Sequence, residues 1–351
     1  MILRIRGTAD PFETGFRHGT QAKAQIASSL CFYTNLFLSK ASLDWPAVLQ
    51  ASQKFLPVLQ RQCPHLPAEM EGIAQGAGVH LYDILALNVR TEIAMGLFSD
   101  GCSSLFCQAP GVLAQNWDWE VAQRENLVVL EVPETEGRPA LAIVTEAGIV
   151  GKIGLNGKSV GVCLNAIRAR GVDFERLPVH IALRLVLEEN SYQDAVKRVK
   201  EVGVAASSHI LIASPDEALG IECSHADMQF LPPVNGVYTH ANHWLVKHTT
   251  STGQVMSEAV FVPDSPLRQA RLDELLAANS VSEVTEVAMG DVEDILKDEV
   301  NYPGSICRDA GEDGKGLTTL FSIIMDLRSK IARVKIGRTT EAIEDFVLRV
   351  Q

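Results

Sequence analysis

Apolar and polar residues change their spacing near residue 100, and this change divides the chain into two parts. In the first part, Phe16, Ile26 and Phe37 are among the apolar residues that recur at helical spacing. The segment Asp10-Pro11-Phe-Glu13 has the N-cap, the first-turn proline and the following glutamate that open a helix. The pattern predicts a long helix that starts at about residue 11, and further helices at about 45–60, 67–75 and 81–96.

From residue 101 the apolar runs become short and are separated by Pro, Gly and Asn, which is typical of antiparallel strands joined by tight turns. The predicted strands lie at about 103–108, 112–119, 126–132, 140–145, 148–155, 160–165, 209–213, 218–223, 236–240, 319–326 and 332–336. Predicted helices interrupt them at about 178–190, 191–203, 265–278 and 282–298. This order predicts an α+β fold in which two sheets pack together and helices lie outside.

The composition limits the class of protein. The chain has 351 residues, of which 46% are hydrophobic, so it is long enough for two domains or one large one. Its formal net charge of −12 argues against nucleic acid or an anionic membrane as a partner. The start carries charges where a signal peptide needs apolar residues, and no run of about 18 apolar residues follows. Without a peroxisomal Ser-Lys-Leu ending, we expect a cytoplasmic protein.

Two patterns in the chain could suggest a metal or a phosphate ligand, and both are weak. His240, His243 and His248 have the spacing H-x2-H-x4-H, but on a strand the first two point to opposite faces. The glycines of Gly148-x-x-Gly-x-x-Gly154 lie between predicted strands, where they favour turns over a phosphate loop. The seven cysteines have no paired spacing, which favours buried thiols. We therefore expect no metal and no cofactor.

The segment Asp100-Gly101-Cys102 lies at the junction between the two parts of the chain. By itself it predicts only a turn followed by a buried thiol. A thiol can attack the carbonyl before it when that peptide is bent, and glycine tolerates such backbone shapes. Cleavage between Gly101 and Cys102 would turn Cys102 into a chain terminus, whose α-amino group has a reference pKa of about 7.7–8.0. That amine could act as the base for its own thiol.

A predicted hairpin places a carboxylate residue opposite Cys102. The loop Ala109-Pro110-Gly111 has three residues and ends in glycine, which is a favoured hairpin connection. It pairs residue 108 with 112 and therefore Cys102 with Asp118, with their Cβ atoms roughly 5 Å apart. Asn116 would share that face, and Trp117 and Trp119 would point the other way. A slip of one residue in the register would remove this arrangement.

Several longer motifs resemble those of one known family. They are Asp100-Gly-Cys-Ser-Ser-x-x-Cys-Gln108, Gln115-Asn-Trp-Asp-Trp119, Thr145-Glu-Ala-Gly-Ile-Val-Gly-Lys-Ile-Gly154, Tyr238-Thr-His-Ala-Asn-His243 and Asn301-Tyr-Pro-Gly-Ser-Ile-Cys-Arg308. Together they resemble the acyl-CoA:6-aminopenicillanic acid acyltransferase (isopenicillin N acyltransferase) family, in order, over about residues 10–340.

The resemblance implies a fold and a division of the chain. It implies the four-layer αββα sandwich of N-terminal-nucleophile hydrolases, made from a precursor that cuts itself before the cysteine. Residues 1–101 would then be a helical α fragment and residues 102–351 the αββα catalytic core, or β fragment. The two fragments are expected to stay associated.

The resemblance also assigns roles to four residues of this chain. Cys102 is the expected nucleophile and Asp118 the expected carboxylate of the site. The family's active-site asparagine corresponds to Asn242, whose amide would help to form the oxyanion hole. The family's arginine corresponds to Arg308, which would hold Asp118 or a carboxylate of the substrate.

We therefore expect an enzyme that acts on a linear, non-peptide amide or thioester. The implied reactions are amide hydrolysis and acyl transfer from acyl-CoA to 6-aminopenicillanic acid or a related amine. Its expected partners are a small-molecule amide or acyl-CoA, with no nucleic acid and no membrane. Two alternatives stay open: an amidohydrolase of N-acyl or β-alanyl amines without transferase activity, and an uncut, catalytically inactive binding protein.

Overall fold

A computed structural model describes residues 1–98, 100–258, 262–280, 289–312, 314 and 316–351. The helices are α1 Pro11–Gln21, α2 Lys23–Ala41, α3 Trp45–Gln53, α4 Leu56–Gln62, α5 His65–Ala77, α6 Leu81–Asn88, α7 Arg90–Ala94, α8 Val179–Glu188, α9 Tyr192–Val202, α10 Asp264–Ser280 and α11 Met289–Leu296. The strands are β1 Leu3–Arg6, β2 Gly101–Cys107, β3 Val112–Trp119, β4 Leu127–Val132, β5 Leu141–Glu146, β6 Ile153–Asn156, β7 Gly161–Ala166, β8 Ser208–Ala213, β9 Ala218–Cys223, β10 Met228–Leu231, β11 Val237–His240, β12 Thr318–Asp326, β13 Ile331–Ile336 and β14 Glu344–Arg349.

The described strands form two sheets. The first has the order β1-β4-β5-β6-β7-β8-β9-β10, and the second has the order β11-β2-β3-β12-β13-β14. All pairs are antiparallel except β1 with β4. Strands β2 and β3 contact β7 of the other sheet, so the two sheets stack face to face. The strand β2, which begins at Gly101, is therefore an inner strand of a two-sheet sandwich.

Helices cover both outer faces of this sandwich. Helices α8 and α9 contact β6, β7 and β8 on the first sheet, and α10 and α11 contact β11, β2, β3 and β12 on the second. One apolar core fills the space between the sheets and continues under α8, and a smaller core lies between the second sheet and α10 and α11. The predicted α+β class, with two packed sheets and helices outside, is confirmed.

The N-terminal segment follows its prediction closely at its first helix. Asp10 caps α1 by accepting a hydrogen bond from the backbone N–H of Glu13 at 2.7 Å, and Pro11 opens the helix. The predicted long helix is two helices, α1 and α2, and the predicted helix at 45–60 is α3 and α4.

The described residues also include three strands that the pattern did not predict, β1, β10 and β14. Residues 282–288 of the predicted helix at 282–298 lie outside the described residues. None of the described helices is long and apolar enough to cross a membrane.

The predicted register of the β2–β3 hairpin is wrong by one residue. Cys107 pairs with Val112, so Cys102 lies opposite Trp117 and Asp118 lies opposite Gly101. The pairing of β2 with β3 ends at Cys107, one residue before the predicted end. The N–H of Gln108 donates instead to the carbonyl of Gly236 at 2.8 Å, which lies outside the hairpin. The loop therefore has four residues, 108–111, and ends at a glycine with φ +71°. Side chains alternate along a strand, so Cys102 and Asp118 lie on opposite faces of the sheet.

Helices α1 and α5 approach each other through glycines. A Cβ atom on Gly19 would lie 2.1 Å from the carbonyl oxygen of Ile73, and one on Gly72 would lie 2.1 Å from the carbonyl oxygen of Phe12. Backbone atoms cannot move aside as a flexible side chain can, so only glycine permits this helix contact. The contact holds the N-terminal helices together beside the sandwich.

The substitution Gly19→Ala should destabilise the chain by about 1–3 kcal/mol, because the added methyl group overpacks the α1–α5 contact. The free energy of unfolding is measured by urea denaturation in a Cys102→Ala background, so that the chain cannot be cut at this residue. Gly290, with no described residue within 4 Å of an added Cβ, is the matched helical control. Gly290→Ala should be neutral or stabilise by up to about 1 kcal/mol. Equal effects of the two substitutions would contradict this account of the contact.

Candidate active site

The peptide between Gly101 and Cys102 lies at the start of β2, and its nitrogen is held by a side chain. The backbone N–H of Cys102 donates to Oδ1 of Asn242 at 2.8 Å. Asn242 follows β11, the strand that pairs with β2, so the pairing of these two strands brings it to the junction. Its Nδ2 donates to the carbonyl of Ala166 at 3.0 Å, and its own N–H donates to Oγ of Ser265 at 2.6 Å. The asparagine expected from the family motif therefore contacts the bond that the sequence predicts to be cut.

Arg268 of α10 binds both residues of the hydrogen bond between Cys102 and Asn242. Its guanidinium donates to Oδ1 of Asn242 at 2.8 Å, to Oγ of Ser103 at 3.0 Å and to the carbonyl oxygen of Cys102. Its Nε donates to Asp264 at 3.1 Å. The arginine is 1% exposed, so these bonds form away from water and hold the amide of Asn242 in one orientation.

Asp118 lies beside the junction on the outer face of the second sheet. Its Oδ1 accepts a hydrogen bond from Thr319 at 2.7 Å, and its buried Oδ2 has no hydrogen-bond partner among the described residues. Burial raises the pKa of this carboxyl group, and the charges of Arg268 and Arg308 partly offset that rise. The structure thus places Asp118 next to Gly101, on the face of the sheet opposite the thiol.

Arg308 is also at this face, but its hydrogen bonds go to another carboxylate. Its guanidinium binds both oxygens of Asp264, at 2.7 Å and 3.2 Å. A Cβ atom on Gly101 would lie 3.0 Å from Oδ2 of Asp118 and 3.2 Å from Nη1 of Arg308. Gly101 is not among the residues with positive φ, so an added side chain here would meet close neighbours but no backbone strain.

The thiol of Cys102 points into the space between the two sheets. It shares a face with Trp117, its partner on β3, and both belong to the main core. Burial raises the pKa of the Cys102 thiol well above its usual value, and the charges of Asp100 and Asp118 raise it further. A backbone hydrogen bond with Ala166 and the charge of Lys152 oppose this rise. In the uncut chain the thiol is therefore protonated at neutral pH.

Asp100, which precedes the junction, fits into a cluster of buried charges on the thiol's side of the sheet. Its Oδ2 accepts a hydrogen bond from Nε1 of Trp117 at 2.5 Å, and it lies 3.9 Å from both Arg90 and Lys152. These two cations share Glu146, at 2.6 Å and 2.9 Å. The ammonium group of Lys152 also lies 3.8 Å from the centre of the Trp117 ring.

Sequence reasoning missed the residues that surround the four expected ones. Asp264 and Arg268 have the i, i+4 spacing of a surface ion pair on a helix, so nothing in the pattern marks Arg268 as buried. Glu146 and Lys152 lie inside the family motif 145–154, whose glycines the pattern attributes to a turn. A lysine and a glutamate in an otherwise apolar stretch were the available signal for a buried pair.

Two histidines of the H-x2-H-x4-H pattern share one carboxylate, and the third contacts a serine. His240 and His248 bind the two oxygens of Glu222, at 2.8 Å and 3.2 Å, and His243 contacts Oγ of Ser265 at 2.8 Å. Within the described part of the chain, no group of three or more His, Cys, Asp and Glu residues is arranged to hold a metal ion. Cys31 is exposed and the other six cysteines are buried.

Comparison with known proteins identifies the family. The profile of the acyl-coenzyme A:6-aminopenicillanic acid acyl-transferase family matches residues 107–341. The acyl-coenzyme A:6-aminopenicillanic-acid-acyltransferase 40 kDa form of Emericella nidulans is 36% identical over 354 residues, which covers 99% of this chain and 96% of that protein. The chain belongs to this family. The expectation of an acyltransferase or amidohydrolase enzyme is thereby confirmed.

Two solved structures are similar to this chain at low sequence identity. A mutant of the conjugated bile acid hydrolase from Clostridium perfringens has 12% identity and a TM-score of 0.49, covering 71% of this chain and 92% of that one. Penicillin V acylase of Agrobacterium tumefaciens has 11% identity and a TM-score of 0.46, covering 71% of this chain and 86% of that one.

Replacement of Arg268 by methionine should slow self-cleavage at Cys102 by roughly tenfold or more, because Asn242 loses the charged donor that orients it. The rate is followed as loss of the full-length chain on a denaturing gel after dilution from denaturant. Arg271→Met is the matched control: Arg271 is on the same helix but pairs with Asp298 at 2.7 Å and Glu274 at 2.8 Å. Cleavage of Arg268→Met at the wild-type rate, with the fold intact by circular dichroism, would contradict the role given to Arg268.

Proposed function

We propose that this chain is a self-processing cysteine N-terminal-nucleophile enzyme that transfers or hydrolyses acyl groups. One observation carries the proposal: the N–H of the Gly101–Cys102 peptide is held by Asn242 at 2.8 Å, in a buried site, in a chain of the acyltransferase family. The expected products of the cut are residues 1–101 and residues 102–351. A small-molecule amide or an acyl-CoA is the substrate class that family membership supports.

Self-cleavage proceeds as an intramolecular acyl transfer. The sulfur of Cys102 bonds to the carbonyl carbon of Gly101, the C–N bond breaks, and the thiol proton goes to the departing nitrogen of Cys102. Asn242 Oδ1 holds that nitrogen before and after the step, which keeps the leaving group in place. Water then hydrolyses the thioester, leaving a carboxylate on Gly101 and a free thiol on Cys102.

The groups around Gly101 support the first step. Thr319 donates a hydrogen bond to Asp118, and the charges of Arg268 and Arg308 oppose the rise that burial causes in the pKa of this carboxyl group. Its Oδ2 lies beside Gly101 and has no hydrogen-bond partner among the described residues. Asp118 lies against Gly101 on the outer face of the sheet, while Arg268 binds the carbonyl of Cys102, which belongs to the next peptide. Cys102 is thus held at its nitrogen by Asn242 and at its carbonyl by Arg268 before the thiol attacks.

In the cut enzyme the same residues serve an external substrate. The α-amino group of Cys102 takes the proton of its own thiol, and the thiolate attacks the acyl carbon of an amide or thioester. The C–N or C–S bond breaks, the leaving group takes the proton, and the acyl group remains on sulfur. Water or an amine then takes the acyl group and restores the thiol. The amide of Asn242 and backbone N–H groups hold the oxyanion. For this, Nδ2 of Asn242 must break its hydrogen bond with the carbonyl of Ala166.

The two fragments share contacts that should keep them together. Strand β1 of residues 1–101 pairs with β4 of residues 102–351. Glu69 binds Arg184 at 2.8 Å, and Arg90 binds Glu146 at 2.6 Å, and all four side chains are buried. These bonds cross from one expected fragment to the other, so separation would leave buried charges without partners.

Intact mass spectrometry tests the self-processing part of the proposal. The purified wild-type chain should give masses for residues 1–101 and 102–351, and Cys102→Ala should give only the full-length mass, because it lacks the attacking sulfur. Cys107→Ala, on the same strand but facing the other way, is the control and should be cut like the wild type. An uncut wild-type chain would instead favour the alternative of an inactive binding protein.

Hydrolysis and transfer are separated by adding an acceptor amine. The cut enzyme is given an acyl-CoA with and without 6-aminopenicillanic acid, and release of free CoA and formation of the new amide are followed. For a transferase, the amine should accelerate CoA release and appear in the product, because it competes with water for the acyl group. CoA release at one rate with no amide product would leave an amidohydrolase of N-acyl or β-alanyl amines as the function.

A further inference from the structure

A buried carboxylate of the first sheet binds the segment that carries Asn242. Glu222 of β9 is fully buried, and its two oxygens accept hydrogen bonds from groups within residues 240–248. The donors are Nε2 of His240 at 2.8 Å, the N–H of Leu245 at 2.6 Å, Nε2 of His248 at 3.2 Å and the N–H of Val246 at 3.4 Å. Burial raises the pKa of Glu222, but the hydrogen bonds from His240 and His248 lower it overall to about 2. Glu222 is therefore ionised and holds this segment against the first sheet.

The contacts of His240 show where its protons are. Its Nε2 lies 2.8 Å from Oε1 of Glu222, and its Nδ1 lies 2.9 Å from the carbonyl oxygen of Ala241. A carbonyl group and an ionised carboxylate accept hydrogen bonds but donate none, so both ring nitrogens must carry a proton. His240 is therefore an imidazolium ion whose counter-ion is Glu222, and both side chains are fully buried.

A second histidine, His209 of β8, stacks on His240 and is neutral. The two ring centroids lie 3.6 Å apart, and the ring planes differ by 5°. Nδ1 of His209 donates to Oδ1 of Asn165 at 2.9 Å, and its Nε2 accepts from the hydroxyl of Tyr238 at 3.0 Å. Burial, together with the charge of His240, lowers the pKa of His209 well below its usual value. The stack thus contains one charge, and that charge belongs to His240.

The cation of His240 holds one side of the peptide that carries Asn242. The carbonyl oxygen that accepts from Nδ1 belongs to the Ala241–Asn242 peptide, and the N–H of the same peptide donates to Oγ of Ser265 at 2.6 Å. A peptide unit is planar, so hydrogen bonds to its oxygen and from its nitrogen fix the orientation of the whole unit. The side chain of Asn242 starts at the end of this unit and accepts from the N–H of Cys102 at 2.8 Å. The direction of that side chain therefore depends on His240 and Ser265.

We propose that His240 is a positioning residue for self-cleavage: together with Glu222, it holds the backbone of Asn242 so that Oδ1 of Asn242 meets the nitrogen of the Gly101–Cys102 peptide. A charged donor binds a carbonyl more strongly than a neutral donor does, so this contact needs the proton that Glu222 keeps on His240. A buried ion pair adds little net stability compared with well-packed apolar residues, so what this pair supplies is direction. The inference rests on the proposed function and adds to it two residues that do not touch the reacting atoms.

The rate of self-cleavage tests the pair in full-length chains made by cell-free translation. After translation is stopped, loss of the full-length band should be roughly tenfold slower for His240→Gln, which keeps a donor to Glu222 but lacks the donor to Ala241. Glu222→Gln, which lacks the charge, should be slowed by a similar factor. The double variant should be at most about twofold slower than the slower single variant, since both residues act through one peptide. Wild-type rates for both single variants, or single effects that multiply in the double variant, would overturn the positioning role.

His65→Gln is the matched control for these rates. His65 of α5 also pairs with a buried glutamate, Glu188 of α8, at 2.7 Å, but it contacts none of the groups that hold Asn242. This variant should be cut at the wild-type rate, and an equally slow His65→Gln chain would overturn the specific role of His240. A wild-type chain that is never cut would count against the proposed function, whereas a cut wild-type chain with unaffected variants would remove only this inference.

Nitrogen NMR tests the charge of His240 directly, and it covers the case in which a variant does not fold. The Cys102→Ala chain, which lacks the attacking sulfur and stays whole, is labelled with isotopically enriched histidine. Under the conditions of the cleavage assay, His240 should show two protonated ring nitrogens and His209 should show one. Glu222→Gln in this background should leave His240 with one. A ring of His240 that carries a single proton in the Cys102→Ala chain would overturn the proposal.

Discussion

The hydrogen bond from the N–H of Cys102 to Oδ1 of Asn242 is the contact on which the rest of the site depends. At 2.8 Å, it joins the first residue of the expected core fragment to the end of β11. Arg268 holds the same oxygen and, through Asp264, joins the contact to Arg308. Because Asn242 and Arg268 are buried, their hydrogen bonds hold the peptide nitrogen in place before any bond breaks.

The sheet separates two sets of charges, one on each side of the junction. On the outer face, Asp118 and Asp264 are balanced by Arg268 and Arg308. On the thiol's face, Asp100 and Glu146 are balanced by Arg90 and Lys152. The cut that we propose between Gly101 and Cys102 would keep the outer set on one fragment and divide the inner set, since Arg90 and Asp100 precede the cut and Glu146 and Lys152 follow it.

The pattern of the sequence predicted much of the fold because the core is regular. Strand β9 has its predicted bounds, 218–223, and Asp10 caps the first helix as expected. The strands at the edges of the sheets, β1, β10 and β14, escaped prediction since their residues are only partly buried and lack a clear apolar run. The hairpin register failed because Gln108 bonds to Gly236, a partner far away in the sequence.

The candidate site was only partly predictable, because its contacts also join residues that are far apart in the sequence. Gly101, Cys102, Asp118 and Asn242 lie in motifs and do meet at one peptide bond. Arg308 is at the same place, although its hydrogen bonds go to Asp264. Arg268 looks like an ordinary surface residue in the sequence, since burial of a charge depends on tertiary contacts that local spacing does not record.

N-terminal sequencing of the freshly purified wild-type protein tests the central claim most directly. The account predicts two sequences in equal amounts, Met-Ile-Leu-Arg from the start of the chain and Cys-Ser-Ser-Leu-Phe from residue 102. A single sequence that starts at Met1, or a second one that starts anywhere other than Cys102, would contradict it.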